Sequence, residues 1–170
     1  MRRSRIRYLS LCLRAVLSAV GAGLPLAAVA AGTLTISQKA PYEKDSRVPD
    51  AVRAECGLEQ KIPEALKKEL GDKAALADGV SARTAGRALE MKITHVLAPG
   101  GGSWSGPKSL AVHGTLYENG KQVGSFTVRR NTIRGAGTCN MLERDINEIA
   151  GDIKKWLESP GKEDRLGDAR

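Results

Sequence analysis

The hydrophobic period changes at Ala88, and that change limits what the chain can fold into. Leu89, Met91, Ile93 and Leu97 alternate with Glu90, Lys92 and Thr94, the period-two pattern of a half-buried strand. Leu110, Val112 and Leu116 form a second alternating run, with Gly114 inside it. Asn119-Gly120 follows, and both residues tolerate the positive φ that a tight hairpin turn requires. The return strand covers 123–133, with Phe126 and Val128 on one face. Residues 88–133 therefore predict a three-stranded antiparallel meander with one apolar face.

That face needs a cover, and two helical patterns can supply it. Val52, Cys56, Leu58, Ile62, Leu66 and Leu70 recur at helical spacing. Asp50 stands where a cap belongs, and Gly71 ends the pattern. Pro63 lies inside it, so the spacing predicts a kink or break near Ile62, with a second helix opening at Pro63. Leu142, Ile146, Ile149, Ile153 and Trp156 step by three or four, with Glu143, Arg144, Asp145, Glu148 and Asp152 on the wet side. Thr138 or Asn140 would cap this second helix, and Pro160-Gly161 would stop it.

The expected architecture is α+β. It is a two-layer sandwich in which an antiparallel sheet of three to four strands carries two amphipathic helices on one face. The fourth strand would be 33–36, joining as an edge or as a parallel neighbour. Residues 72–87 fit either a short helix and loop or a short strand around Val80. The expected organisation is a signal peptide over 1–31, a single domain over 32–158 and a flexible tail over 159–170.

The export reading comes from the first thirty residues. Arg2, Arg3, Arg5 and Arg7 form a basic start, an uncharged apolar run follows Arg14, and Ala28-Val29-Ala30 matches the small-x-small cleavage pattern. The run is shorter than the roughly 20 apolar residues a spanning helix needs, and it holds Gly21, Gly23 and Pro25. Cleavage after Ala30 or Ala31 is equally compatible. Leu11 directly before Cys12 departs from a lipidation signal, and the residues after Arg2-Arg3 depart from the twin-arginine pattern.

Cleavage changes the charge. The full chain carries 27 Lys+Arg against 19 Asp+Glu, net +8. Losing 1–31 removes five Arg and no acid, leaving 22 against 19, an ordinary balance for a soluble domain. Nucleic acid is therefore not an expected partner. The expected location is the periplasm or the outside of the cell. Two cysteines remain, Cys56 and Cys139, and an even pair in an exported chain reads as a disulfide. A loop of that length favours the folded state by about 4 kcal/mol through chain entropy.

No constellation in the sequence reaches the level of chemistry, so no catalytic, cofactor-binding or metal residue is assigned. The 99–107 loop, PGGGSWSGP, leads into Lys108-Ser109. Pro107 stands where a nucleotide loop needs glycine, and a strand follows where that loop needs a helix. Trp104 at the loop tip is a candidate partner contact. Arg134-Gly135-Ala136-Gly137-Thr138 precedes a helix start, a place that favours anions. Arg129 and Arg130 point to opposite faces of a regular strand, so with Arg134 they do not make one patch. His95 shares the phase of Ile93, whereas His113 is out of phase with Val112, which makes them poor co-ligands for one metal.

The run from Leu110 to Leu157 holds Asn119-Gly120-Lys121 at its turn and Asp152-Ile153-Lys154-Lys155-Trp156-Leu157 at its helix end. It resembles the closing half of small uncharacterised proteobacterial envelope domains. Some of these are auxiliary periplasmic parts of lipid-transport and envelope-assembly systems. The resemblance implies an envelope location and no catalytic residues. Two functions follow as expectations. The first is a non-enzymatic periplasmic binding or assembly factor whose partner is another envelope protein, soluble after cleavage and capable of forming a homodimer. The second is a small ligand carrier or hydrolytic enzyme, with a pocket near His95, His113 and the 99–107 loop.

Overall fold

The computed structural model describes residues 32–78, 86–99 and 106–169. The described residues belong to one compact unit. Val80 and Trp104 lie outside the described residues.

The expected meander is present. β3 (Arg87–Leu97), β4 (Lys108–Glu118) and β5 (Lys121–Thr132) pair antiparallel in succession. Asn119 and Gly120 at the β4–β5 turn have φ of 50° and 77°. The sheet around the meander is larger than expected, and it is mixed. β1 (Leu34–Ser37) lies inside it, parallel to both β3 and β2 (Ala74–Ala77). β6 (Asp164–Gly167) closes the far edge parallel to β5, giving the order β2-β1-β3-β4-β5-β6. The α+β class holds, while the antiparallel sheet of three to four strands is corrected to a mixed sheet of six.

The extra strands arise because both helical segments work as crossovers. A helix joining neighbouring parallel strands allows each strand to pair where a hairpin would not reach. α1 (Asp50–Glu55) and α2 (Leu58–Leu70) connect β1 to β2 through a short 3₁₀ turn at Gly71–Lys73. α3 (Thr138–Trp156) connects β5 to β6. So the segment 72–77 becomes a short turn and an edge strand, and residues 164–167 form the other edge strand.

The first helical pattern breaks at Gly57, whose φ is 60°, and not at Pro63. Pro63 sits buried inside α2. It has no N–H to offer the carbonyl of Glu59, and the Ala40 N–H donates to that carbonyl at 2.9 Å instead. The loop after β1 thereby replaces the missing helix bond. Side-chain caps are absent from both long helices, where glycines Gly57 and Gly137 occupy the N-cap positions. Neither Thr138 nor Asn140 acts as the cap. α1 begins after Pro49, again without a side-chain cap from Asp50.

The three described helices bury their apolar sides against one face of the sheet. Ile36, Leu89, Ile93, Val112, Leu116 and Val128 meet Leu58, Leu66, Leu142, Ile149 and Ile153 in one cluster. The chain's single Phe, Phe126, stands edge-on to Trp156 at 4.7 Å between ring centroids. Two strand glycines make room for these rings. A Cβ at Gly114 would sit inside the Phe126 ring, and one at Gly124 would lie 3.0 Å from the Trp156 ring. Cys56 and Cys139 form the expected disulfide, with their Cα atoms 5.0 Å apart, fastening the α1–α2 corner to the first turn of α3. Lys61–Glu143 and Lys154–Glu69 add ion pairs between α2 and α3 at 3.0 and 3.2 Å.

The C-terminal segment is held by specific bonds. Asp164 accepts from the Trp156 indole N–H at 2.8 Å and from the Gly161 N–H at 2.9 Å. The Arg130 guanidinium grips Asp152 with two bonds of 2.8 Å, and Gly167 packs so close that a Cβ there would meet both partners. Removing residues 164–170 is therefore expected to lower the urea midpoint, since the Trp156 and Gly161 N–H groups lose their Asp164 acceptor. A midpoint equal to that of the intact chain would mean the segment is a loose tail. Gly114→Ala is expected to cost about 1–3 kcal/mol by overpacking the Phe126 ring, measured by the same denaturation.

Candidate functional site

No described helix packs on the second face of the sheet, and this face is where unpaired charge gathers. Its residues follow from the register. Lys92, His113, Thr127 and Arg165 stand opposite one another across β3, β4, β5 and β6. The next row toward the β3–β4 loop is His95, Ala111 and Arg129. The row beyond it is Leu97, Ser109 and Asn131. Lys92, Arg129 and Arg165 are exposed. Among the described residues none of the three pairs with an acid. On the helical face, by contrast, Arg130 is bound by Asp152 and Glu148, and Arg87 by Glu118. Arg129 and Arg130 point to opposite faces, as their spacing predicted.

A bulge brings the histidines together. The register shifts between Ile93 and His95, so one extra residue enters β3. Two-residue phase then no longer applies across it. His95 lands opposite Ala111 on the same face as His113, which corrects the expectation that the two differ in facing. Burial and the neighbouring Arg129 charge push the His95 pKa down. His113 makes a 3.4 Å contact with the Thr127 hydroxyl and stands opposite Lys92. Cations beside both rings oppose a bound metal ion, and no group of three metal-ligating residues occurs among the described residues.

Lys108, expected to have no phosphate role, has a structural one. It is fully buried, and its ammonium donates to the carbonyls of Pro99 and Gly106 at 3.1 Å each, tying together the two ends of the 99–107 loop. Burial lowers its pKa. At the start of α3, the Arg144 guanidinium donates to the Arg134 carbonyl at 3.0 Å. Arg129, Arg130 and Arg134 stay apart, in keeping with the sequence.

Three cavities border these regions. One of about 330 Å³ opens on the charged face between Thr127, Arg129, Arg165 and Asp168. Another of about 410 Å³ lies beside the disulfide, where Glu55 is the only charged lining residue. A third of about 330 Å³ sits at the C-terminal ends of α2 and α3, lined by Lys73, Arg87 and Lys154 with Glu69 and Glu158. Most of the 99–107 loop, where the sequence places a ligand pocket, lies outside the described residues.

One charge departs from the sequence reading outright. Asp145, assigned to the wet side of α3, is fully buried. The Thr132 hydroxyl donates to its Oδ1 at 2.6 Å, while Oδ2 has no hydrogen-bond partner. Burial raises its pKa to about 6, helped by Glu148 and Asp168 and opposed by the Thr132 bond and by Arg144.

A scan against family models finds no match, and a search of curated proteins finds none. Solved structures show distant likeness. The PelC dodecamer from Paraburkholderia phytofirmans is 15% identical, with 71% of this chain and 88% of that one covered and a TM-score of 0.46. A putative neuraminyllactose-binding hemagglutinin homolog from Helicobacter pylori is 8% identical, with 76% and 84% covered and a TM-score of 0.47. Lipoprotein GNA1162 from Neisseria meningitidis is 14% identical, with 71% and 99% covered and a TM-score of 0.39. At these TM-scores the likeness carries no functional inference.

The unfolded chain releases the Asp145 proton near pH 4, while the folded chain holds it to about 6. Stability from this group is therefore complete below pH 4, falls as pH rises to 6, and is lost above. The loss is on the order of 2–3 kcal/mol. Asp145→Asn keeps an acceptor for Thr132 and removes the titration. The variant should gain on the parent chain between pH 4 and 7 in thermal melts, and parallel profiles would contradict the assignment.

Proposed function

We propose that this chain is an extracytoplasmic binding or assembly factor of the cell envelope. It works by surface contact through the face of its sheet that no described helix covers and not by catalysis. The carrying observation is the set Lys92, Arg129 and Arg165, spread over three strands of one open face without acid partners. Solvated charges on a helix or sheet usually sit near counter-charges, as they do across α2 and α3 here. Three cations on one face raise the local concentration of an anionic partner and steer its approach. The two imidazoles support contact over acid–base work, since each faces a cation and neither is oriented by a carboxylate.

Residues 1–31 fit this role as a cleaved export signal, and the disulfide fits the oxidising compartment to which that signal leads. No described helix is long and apolar enough to cross a membrane. The protein exported from cells should begin at Ala31 or Gly32 by intact mass.

A photo-crosslinking residue separates the two faces directly. Placed at Thr127 on the open face, it should give adducts in envelope fractions. Placed at Lys155, exposed on α3, it should give none. Adducts from Lys155 alone would move the contact surface to the helices and overturn the proposal.

A further inference from the structure

The open face ends in an apolar margin. Among the described residues two large hydrophobic side chains are exposed, Leu97 at 44% and Ile133 at 75%. Both belong to the end of the sheet that carries the β3–β4 loop. Leu97 stands opposite Ser109, which stands opposite Asn131. Ile133 directly follows the last residue of β5, two residues beyond Asn131. One row inward lies Arg129, and two rows inward lie Lys92 and Arg165. Successive rows are about 7 Å apart along the strands, and the four strands from β3 to β6 span about 14 Å.

We propose that this face docks on an anionic lipid surface. Leu97 and Ile133 enter the headgroup layer, and Lys92, Arg129 and Arg165 meet lipid phosphates. The inference rests on the contact role proposed for this face and replaces an envelope protein with the envelope's lipid as its partner.

Three features favour lipid over another acidic partner. The cations form a broad array with only a shallow cavity between Arg129 and Arg165, which suits many separate phosphates better than one enclosed ligand. The apolar side chains stand beside the cations at one end, the arrangement by which surface-bound proteins combine apolar burial with attraction to anionic headgroups. Aromatic side chains that would stack on a sugar chain are missing from these rows, since Tyr117 lies at the other end of β4. The acids nearby do not cancel the array. Glu90 lies one row farther from the apolar margin, and Asp168 is engaged by the Asn131 amide at 2.9 Å and by Arg130.

The test uses the compact unit from Ala31 onward, because the basic, apolar first thirty residues would bind lipid by themselves. Sedimentation with vesicles of equimolar phosphatidylglycerol and phosphatidylcholine should recover the protein at low salt, and phosphatidylcholine alone should not. Lys92→Gln, Arg129→Gln and Arg165→Gln together should weaken partitioning about 100-fold, close to five-fold per cation. Leu97→Asn with Ile133→Asn should weaken it about ten-fold. All five positions are surface side chains, and unchanged melting curves establish that the variants fold. Equal recovery on both vesicle types, or no recovery on either, overturns the inference. So does equal binding of soluble polyglutamate that ignores the Leu97 and Ile133 changes, which assigns the face to an acidic protein and leaves the contact role standing. Loss of binding to every anion together with crosslinks from Lys155 would remove both.

Discussion

The apolar side chains of this sheet leave it on one side only, and the rest of the structure depends on that asymmetry. Leu89, Ile93, Val112, Leu116, Phe126 and Val128 point to the layer built by α1, α2 and α3. Burial of such side chains contributes roughly 1.5–3 kcal/mol each, so the helices have one place to go. The crossovers then bring β1, β2 and β6 into register beside the meander. The disulfide and the Arg130–Asp152 pair hold the covered side closed. What remains on the other side is bare of described helices and carries Lys92, Arg129 and Arg165.

The same asymmetry sorts the charges. Cations on the helical side have partners close by: Arg130 pairs with acids of α3, and Arg87 pairs with Glu118 of β4. On the open side Lys92 stands opposite His113, and Arg129 and Arg165 line one cavity with Asp168, with no ion pair from these three cations among the described residues. The contact role follows from this difference. Arg129 and Arg130, adjacent in the chain, show it in one dipeptide: Arg130 is locked to α3, and Arg129 is free to face a partner.

The meander, the two helical patterns and the cysteine pair were legible because each depends on local spacing. The parallel strands were not. Ala74-Ala75-Leu76-Ala77 and Asp164-Arg165-Leu166-Gly167 are too short to show alternation, and their pairing is decided by crossovers. The Pro63 helix was misread because the bond that rescues it comes from Ala40, distant in sequence. Asp145 was misread because helical phase puts it at the border of the apolar stripe, and only the end of β5 with Thr132 determines that it is buried. The charged face was half legible. Alternation gave the phase of Lys92 and His113, but the bulge before His95 and the arrival of Arg165 on β6 needed the fold.

Both histidines of the chain lie on the open face, so labelling them reads that face and no other. Diethyl pyrocarbonate should modify His113 readily in the isolated protein from Ala31 onward, and mass spectrometry locates the adduct. In intact envelopes His113 should be protected, with lysines on α2 and α3 reacting as before with an amine reagent. Equal modification of His113 in both preparations would show the face uncovered in its own compartment and would contradict the account.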